Sequence, residues 1–140
     1  MGKCIPFEHT ADLGLRIEAV DLEDLFRTAA EGVFDAIFAN RHELRNRIEE
    51  PIALEAETPV DLLVDWLNEL IFRHETRHRL YGTFDIRVAS NGCALDGIIR
   101  GDPLDRQSHL LDHEVKAVTR HGLRLTHQDG SWVAELILDL

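Results

Sequence analysis

Apolar residues change their spacing along the chain, from helical intervals in two segments to alternation in most of the rest. In the first segment they recur every three or four residues from Leu22 to Phe38, which gathers them on one face of a helix. Asp21 is placed to cap the first turn, and Asn40 marks the expected end. We therefore predict an amphipathic helix over this segment.

A second helix is predicted from the sequence Thr58-Pro59-Val60-Asp61. Thr58 can serve as the N-cap, Pro59 fits the first helical position, and Asp61 stands three residues after the cap. The apolar residues that follow keep helical spacing, and basic or titratable residues collect towards Arg79. We expect this helix to end near Arg79.

Most of the remaining chain alternates between apolar and polar residues, as strands do. Four runs show the pattern: Ile5, Phe7 and His9; Leu13, Leu15 and Ile17; Ile52, Leu54 and Ala56; Phe84, Ile86 and Val88. Asn91-Gly92 and Asp129-Gly130 are flanked by such runs and tolerate positive φ, so each predicts an antiparallel hairpin. A terminal strand over residues 132–138 should then carry Asp139 at its end.

One long loop is predicted, from Gly101 to His113. Two helices that cover one face of a mostly antiparallel β-sheet form the natural two-layer arrangement for these elements, so we predict an α+β fold. At 140 residues the chain has the length of one domain, and we expect residues 1–140 to form it.

The chain is acidic, with 15 Lys and Arg residues against 26 Asp and Glu residues and a formal charge of -11. This balance repels nucleic acid unless a local basic patch overrides it. A protein partner with a basic face, a metal ion or a cationic ligand suits the charge better, although the charge can also serve solubility alone.

No apolar run approaches the roughly 18 to 20 residues that cross a membrane, and the first residues lead into polar sequence rather than a signal peptide. We expect a cytoplasmic protein. Cys4 and Cys93 are the only cysteines and lack CxxC partners, which leaves neither a redox motif nor a cysteine-rich zinc site. We expect both to be small buried residues.

The segment His74-Glu75-Thr76-Arg77-His78 matches the HExxH motif, which in metalloproteases places two zinc ligands on one helix face. Zinc hydrolysis also needs a third ligand and an open coordination position, and no downstream ligand motif follows. Because the pair falls in the last turn of the predicted helix, we interpret it as two solvated histidines. A small zinc hydrolase stays the alternative among enzymes.

His109 and His113 share the same four-residue spacing, but in a predicted loop that spacing imposes no common face. Asp112 beside them is as consistent with a solvated carboxylate as with a ligand. The sequence contains no Ser-His-Asp signature, phosphate-binding glycine loop or RNA-reading motif. Ordinary nucleotide chemistry therefore has no evident host in this chain.

A polar turn, residues 9–14, lies between two strand-like runs. Gly14 permits close backbone approach there, and the Asp12 carboxylate either bonds neighbouring main-chain amides or serves a function. The residues of the turn alone fit both interpretations.

Seven segments follow one another in a recognisable order along nearly the whole chain. They are Phe7 to Gly14, Asp21 to Phe34, Leu62 to Leu70, Arg100 to Asp105, Glu114 to Thr119, His121 to Leu123 and Leu138 to Leu140. Together they resemble the archease family, and their order is far more specific than any one of them. Asp112-His113 and Arg120 depart from the family pattern, and the HExxH segment is not part of it.

The resemblance implies a non-catalytic activator of an RtcB-type RNA ligase, one that promotes guanylylation and repeated turnover of the ligase in tRNA splicing or RNA repair. RNA would be contacted only through the ligase. The family's metal site falls on Asp12, Asp139 and Leu140, and Lys116 matches a position linked to activation. The implied ion is calcium or another hard divalent cation, which prefers carboxylate and main-chain oxygens.

The alternative among binding proteins is a general chaperone or metal-binding adaptor. Activation of several unrelated enzymes would favour it. Nothing in the sequence decides between a monomer and a homo-oligomer.

Overall fold

The structure, a computed structural model, describes residues 2–9 and 12–140. Within these residues it contains two α-helices and eight β-strands. The helices are α1, Leu22–Ile37, and α2, Pro59–Arg77. The strands are β1 (Lys3–His9), β2 (Asp12–Ala19), β3 (Ile48–Glu55), β4 (Arg79–Val88), β5 (Ala94–Pro103), β6 (Ala117–Val118), β7 (Arg124–Gln128) and β8 (Ser131–Asp139). A short 3-10 turn, Arg41–Glu43, follows α1.

The predicted α+β class is confirmed, with two helices and antiparallel pairing in every described ladder. The strands divide between two sheets. In the first sheet β1, β2, β8 and β6 lie side by side in that order, and β7 also pairs with β8. The second sheet has the order β3, β5, β4. Alternation identifies a strand but not its partner, so this division was not visible in the sequence.

Helix α1 contacts both sheets, through β2 and β8 in the first and β4 in the second, and it also packs against α2. It is buried around most of its circumference, and Phe26, Ala30 and Phe34 have no exposed surface. Gly32 allows β1 to approach closely, because a β-carbon there would lie 2.6 Å from Cys4 Sγ. The hydrophobic core is therefore built around α1.

Both predicted helix caps are confirmed. Asp21 and Thr58 each accept the main-chain N–H of the residue three positions later, at 2.8 and 3.1 Å. These bonds satisfy donors that the first turn of a helix leaves without partners. Caps depend on local sequence, which is why the sequence predicted them correctly.

Helix α1 ends at Ile37, three residues before the predicted stop at Asn40. Helix α2 ends at Arg77, close to the predicted end near Arg79. His78 adopts a left-handed backbone with a φ of 53°, which stops the helix and lets β4 begin at the next residue.

Both predicted hairpins are present. Gly92, with a φ of 74°, lies between β4 and β5, and Asp129 and Gly130 have φ values of 51° and 80° in the turn between β7 and β8. Two successive positive φ values are what a type I′ turn requires. The long loop starts later than the predicted Gly101, because β5 continues through Pro103.

The outer edge of β4 is bonded to side chains rather than to another strand of the described chain. Arg27 and Arg41 each donate to a main-chain carbonyl of β4 at 3.1 Å, and Glu23 accepts the main-chain N–H of Val88 at 3.2 Å. Helix α1 and the turn that follows it therefore supply hydrogen-bond partners along this edge.

Cys4 and Cys93 are half-buried, so the expectation that both are buried residues is wrong. Burial, with Asp35 and Glu31 nearby, raises the pKa of the Cys4 thiol to about 11. No helix among the described residues is long and apolar enough to cross a membrane.

Candidate metal-binding and partner-contact site

The register of the first sheet brings Asp12 and Asp139 to the same end of that sheet. Strand β2 pairs antiparallel with β8, and Leu13 lies opposite Leu138 at that end of the ladder. Asp12 precedes Leu13 and Asp139 follows Leu138, so the two aspartates are the next residues of the two strands beyond the last pair of this ladder. Directly opposite residues of antiparallel strands have Cα atoms about 4.5 to 5.5 Å apart. Two acidic residues from opposite ends of the sequence therefore become neighbours.

Lys116 flanks Asp139 on the side away from Asp12. In the β6–β8 pair Ala117 lies opposite Asp139, and the main-chain N–H of Lys116 donates to the carbonyl oxygen of Asp139 at 2.8 Å. Because the strand order is β2, β8, β6, Asp139 lies between the other two residues. Lys116 is exposed. The structure thus brings the residues of the predicted metal site and the predicted activation lysine to one sheet end.

Residues 112–120, here called the Lys116 segment, are fastened to the end of α1. The main-chain N–H groups of Asp112 and His113 donate to carbonyl oxygens in the last turn of α1, at 2.8 and 2.9 Å. These are carbonyls that a helix end leaves without internal partners. Val115 and Val118 are each 2% exposed, so the segment is also anchored in the core.

Helix α2 holds the same segment with two side chains. The Asn68 side chain donates to the Val118 carbonyl at 2.9 Å and accepts the Val118 N–H at 2.8 Å. Asp61 pairs with Arg120 at 2.5 Å. Neither contact was predicted. The one signal in the sequence was a polar Asn68 beside the apolar stripe of α2, which by itself gives no partner.

The oxygen donors at this sheet end suit a hard cation, but the side chains alone do not complete a site. Asp12 is half-buried, Asp139 is exposed, and Leu140 can add a main-chain oxygen. Within residues 2–9 and 12–140, no group of three or more His, Cys, Asp or Glu residues is arranged to hold a metal ion. Calcium takes about six to eight oxygens, so main-chain oxygens and water would have to complete the shell. Thr10 and Ala11 of the predicted turn lie outside the described residues.

The two histidines of the HExxH segment do not share the face of one continuous helix. His74 is half-buried, its Nδ1 lies 2.7 Å from the carbonyl oxygen of Arg79, and its ring meets Phe34 edge-on with centroids 6.0 Å apart. His78 already has a left-handed backbone beyond the end of α2. The expected solvated pair is therefore correct for the exposed His78 and wrong for His74, which packs against the core.

His109 and His113, the second histidine pair, also differ in burial. His109 is 8% exposed, its Nδ1 accepts the main-chain N–H of Asp105 at 2.9 Å, and its ring packs edge-on against Phe38. His113 is exposed and, with the HExxH histidines, lines a cavity of about 470 Å³. Asp112 lies beside it there. The loop spacing thus reflects one structural histidine and one surface histidine.

A buried carboxylate that the sequence did not predict joins α2 to the second sheet. Glu50 in β3 is 5% exposed and accepts hydrogen bonds from the Tyr81 hydroxyl at 2.5 Å and from Arg79 at 2.6 Å. Arg73 and Arg77 of α2 also pair with it. Burial alone would raise the pKa of Glu50, but the bonds from Tyr81 and Arg79 and the charge of Arg77 outweigh it and lower the pKa. Glu50 is an ionised structural group.

The sheet end and its three converging segments can be compared with known proteins. The model of the Archease protein family (MTH1598/TM1083) matches residues 6–140. The chain belongs to the archease family. The protein archease of Methanopyrus kandleri is 39% identical over 135 residues, which cover 95% of this chain and 96% of that protein. The protein archease of Pyrococcus furiosus is 32% identical over 137 residues, which cover 96% of each chain.

Two solved structures share the fold of this archease. The solution structure of Methanobacterium thermoautotrophicum protein 1598 has a TM-score of 0.85 and 33% identity, with 98% of each chain covered. The crystal structure of a Thermotoga maritima archease, described as a possible chaperone, has a TM-score of 0.68 and 21% identity, with 97% of this chain and 96% of that chain covered. The arrangement of two sheets around α1 is therefore an archease fold.

Proposed function

We propose that this archease activates an RtcB-type RNA ligase by promoting guanylylation of the ligase in tRNA splicing or RNA repair. The nucleotidyl transfer belongs to the ligase, and this chain touches RNA only through it. Calcium or another hard divalent cation is the proposed ligand of Asp12, Asp139 and Leu140. Lys116 is proposed to act on the partner. Membership of the archease family supports this function.

The convergence of three distant segments on one sheet end carries the proposal. Asp12 begins β2, Asp139 ends β8, and Lys116 immediately precedes β6. These are the positions that the family resemblance links to metal binding and activation. A purely local role for Asp12 in its turn would require neither Asp139 on the neighbouring strand nor Lys116 on the far side of Asp139.

The charges around Lys116 support contact with a partner at this end. Asp112, Glu114 and Asp139 are exposed near it, within a chain of formal charge -11. An acidic surface attracts a basic face of an RNA-binding enzyme and accelerates encounter. The exposed ammonium of Lys116 then offers one positive charge to an anionic group of the partner, such as a phosphate.

A reconstituted assay with the cognate ligase and labelled GTP tests the proposal. We expect guanylate to attach to the ligase faster when this protein is added, with no label on this chain alone. Lys116→Ala should reduce the acceleration, whereas Arg87→Ala, which removes an exposed cation from the second sheet, should not. An unchanged ligase rate, or stable labelling of the isolated chain, would contradict the proposal.

A general chaperone is the competing function, since the Thermotoga maritima protein of the same fold is described as a possible chaperone. That function predicts protection of several unrelated enzymes from aggregation, without dependence on Lys116. Assays of wild type and Lys116→Ala on unrelated enzymes therefore separate the two. We expect no protection by either protein.

A further inference from the structure

The contact between Asn68 and Val118 joins two parts of the chain that are far apart in sequence. The Asn68 amide bonds both main-chain groups of Val118, at 2.9 and 2.8 Å, across 50 positions of sequence. A neighbouring strand would satisfy a residue in the same way, with one donor and one acceptor. Asn68 is half-buried on α2. Its side chain therefore takes the place of a neighbouring strand for Val118.

Strand β6 needs such support because it contains only two residues, Ala117–Val118, and lies at the end of the strand order of the first sheet. Its pairing with β8 fixes one side. The second tether from α2, the Arg120–Asp61 pair, leaves the Arg120 side chain 64% exposed. Exposed ion pairs contribute little, so Asn68 is the stronger link between α2 and this strand.

We infer that Asn68 is a positioning residue that holds the Lys116 segment against β8 and so sets the place of Lys116 beside Asp139. This inference rests on the proposed function. The bond from Lys116 N–H to the Asp139 carbonyl lies two residues before the clamped Val118. Without the two hydrogen bonds from Asn68, the backbone that carries Lys116 samples more conformations. Binding of the partner must then order this backbone, and the entropy lost in doing so weakens the affinity. Asn68 itself is not proposed to touch the ligase.

Two variants of Asn68 test the inference by hydrogen exchange and by activation. Asn68→Ala removes both bonds, and Asn68→Asp keeps the size and one acceptor while replacing the donor with an oxygen. We expect faster exchange of the Val118 and Lys116 amides in Asn68→Ala. The increase should be smaller in Asn68→Asp, which still accepts the Val118 N–H but sets a second carboxylate oxygen against the Val118 carbonyl. About tenfold more Asn68→Ala protein should be needed for half-maximal guanylylation of the ligase, as the net loss of one or two hydrogen bonds implies.

Asn40→Ala is the matched control, because Asn40 clamps a loop in the same manner. Its side chain donates to the Ser108 carbonyl and accepts the Leu110 N–H, each at 2.9 Å, and the residue is 6% exposed. The bonds of residues 112 and 113 to α1 separate that loop from Lys116. Asn40→Ala should lower stability to a similar extent while leaving the half-activating concentration unchanged.

The outcomes separate this inference from the proposed function. Wild type without effect on the ligase would overturn the proposed function, and amide exchange alone would then decide whether Asn68 orders the segment. Activation by wild type and equally by Asn68→Ala would overturn the inference. An equal loss of activation in Asn40→Ala would also overturn it, because the effect would then follow stability. If Asn68→Ala does not fold, Asn68→Asp decides.

Discussion

Asp12 and Asp139 show what a single residue can and cannot reveal in a sequence. Their roles came from the family resemblance, since each is otherwise an ordinary turn or terminal aspartate. Their proximity depends on β2 pairing with β8, and the alternation of apolar residues in either strand does not name its partner. The family resemblance therefore identified the two aspartates, but their proximity could not be predicted from the sequence.

Replacement of Asp12 or Asp139 by Ala should weaken calcium binding and reduce ligase activation with little change in folding. Each substitution removes a charged oxygen, and neither residue belongs to the buried core. The Asn variants should weaken binding less than Ala, because they keep the size of the side chain and one carbonyl oxygen although they lose the charge. Calorimetry gives the calcium affinity and circular dichroism the folding.

Lys116→Ala serves as the control for the two aspartates. It should retain wild-type calcium affinity and lose activation, because it removes no oxygen donor. Folded Asp12→Ala and Asp139→Ala proteins with unchanged calcium affinity would show that the shared metal site is wrong.

His74→Ala should destabilise the protein while leaving ligase activation nearly intact. The substitution removes a hydrogen bond to a main-chain carbonyl and an edge-on contact with Phe34, which together are worth about 1 to 2 kcal/mol. Exposed His78 should tolerate Ala with a change of about 0.5 kcal/mol or less. Chemical denaturation measures both. Loss of activation in either folded variant would contradict this prediction. Stoichiometric zinc in the wild-type protein that is lost in His74→Ala would favour a zinc hydrolase.

At the scale of elements, the sequence predicted what is local. Helical spacing, the caps at Asp21 and Thr58, and the Asp129-Gly130 turn each depend on a few neighbouring residues, and all are present. The division into two sheets depends on contacts between distant segments. The burial of Glu50 also depends on distant segments, because this charged residue lies at a position of β3 that the alternation assigns to the core. Its burial makes sense only once the arginines of α2 and β4 are brought to it.

Glu50→Gln should lower the free energy of unfolding at pH 7 by about 2 kcal/mol, because hydrogen bonds to a charged group are lost among three arginines. The folded state lowers the pKa of Glu50, so the stabilisation is present above its ordinary value of 4.5 and is lost as the pH falls through the lower folded value. Urea titrations from about pH 7 down to about pH 3 cover the range in which carboxylates become protonated. The unfolding free energies of wild type and Glu50→Gln should converge towards the acid end of this range.

Glu55→Gln is the control for this prediction, since Glu55 lies on the same strand and is exposed. It should change stability by less than about 0.5 kcal/mol at either end of the pH range. A Glu50→Gln protein whose deficit persists unchanged in acid would show that the carboxylate charge is not the source of the stabilisation.

At the scale of the whole molecule, the net charge of -11 predicts that activation weakens with salt. An acidic activator that approaches a basic ligase gains from long-range attraction, and the screening length falls from about 10 Å at 0.1 M to about 3 Å at 1 M salt. The concentration for half-maximal guanylylation should therefore rise with potassium chloride, with the ligase's own basal rate measured in parallel. A salt-independent value would mean that apolar contacts dominate the encounter.

The covered edge of β4 limits how the second sheet can meet other polypeptides. Many domains recruit an extended peptide by β-augmentation, in which the newcomer completes an unfinished ladder. Here Glu23, Arg27 and Arg41 already occupy main-chain groups that such a peptide would need. A newcomer would first have to displace them, so this flank resists both strand capture and edge-to-edge aggregation.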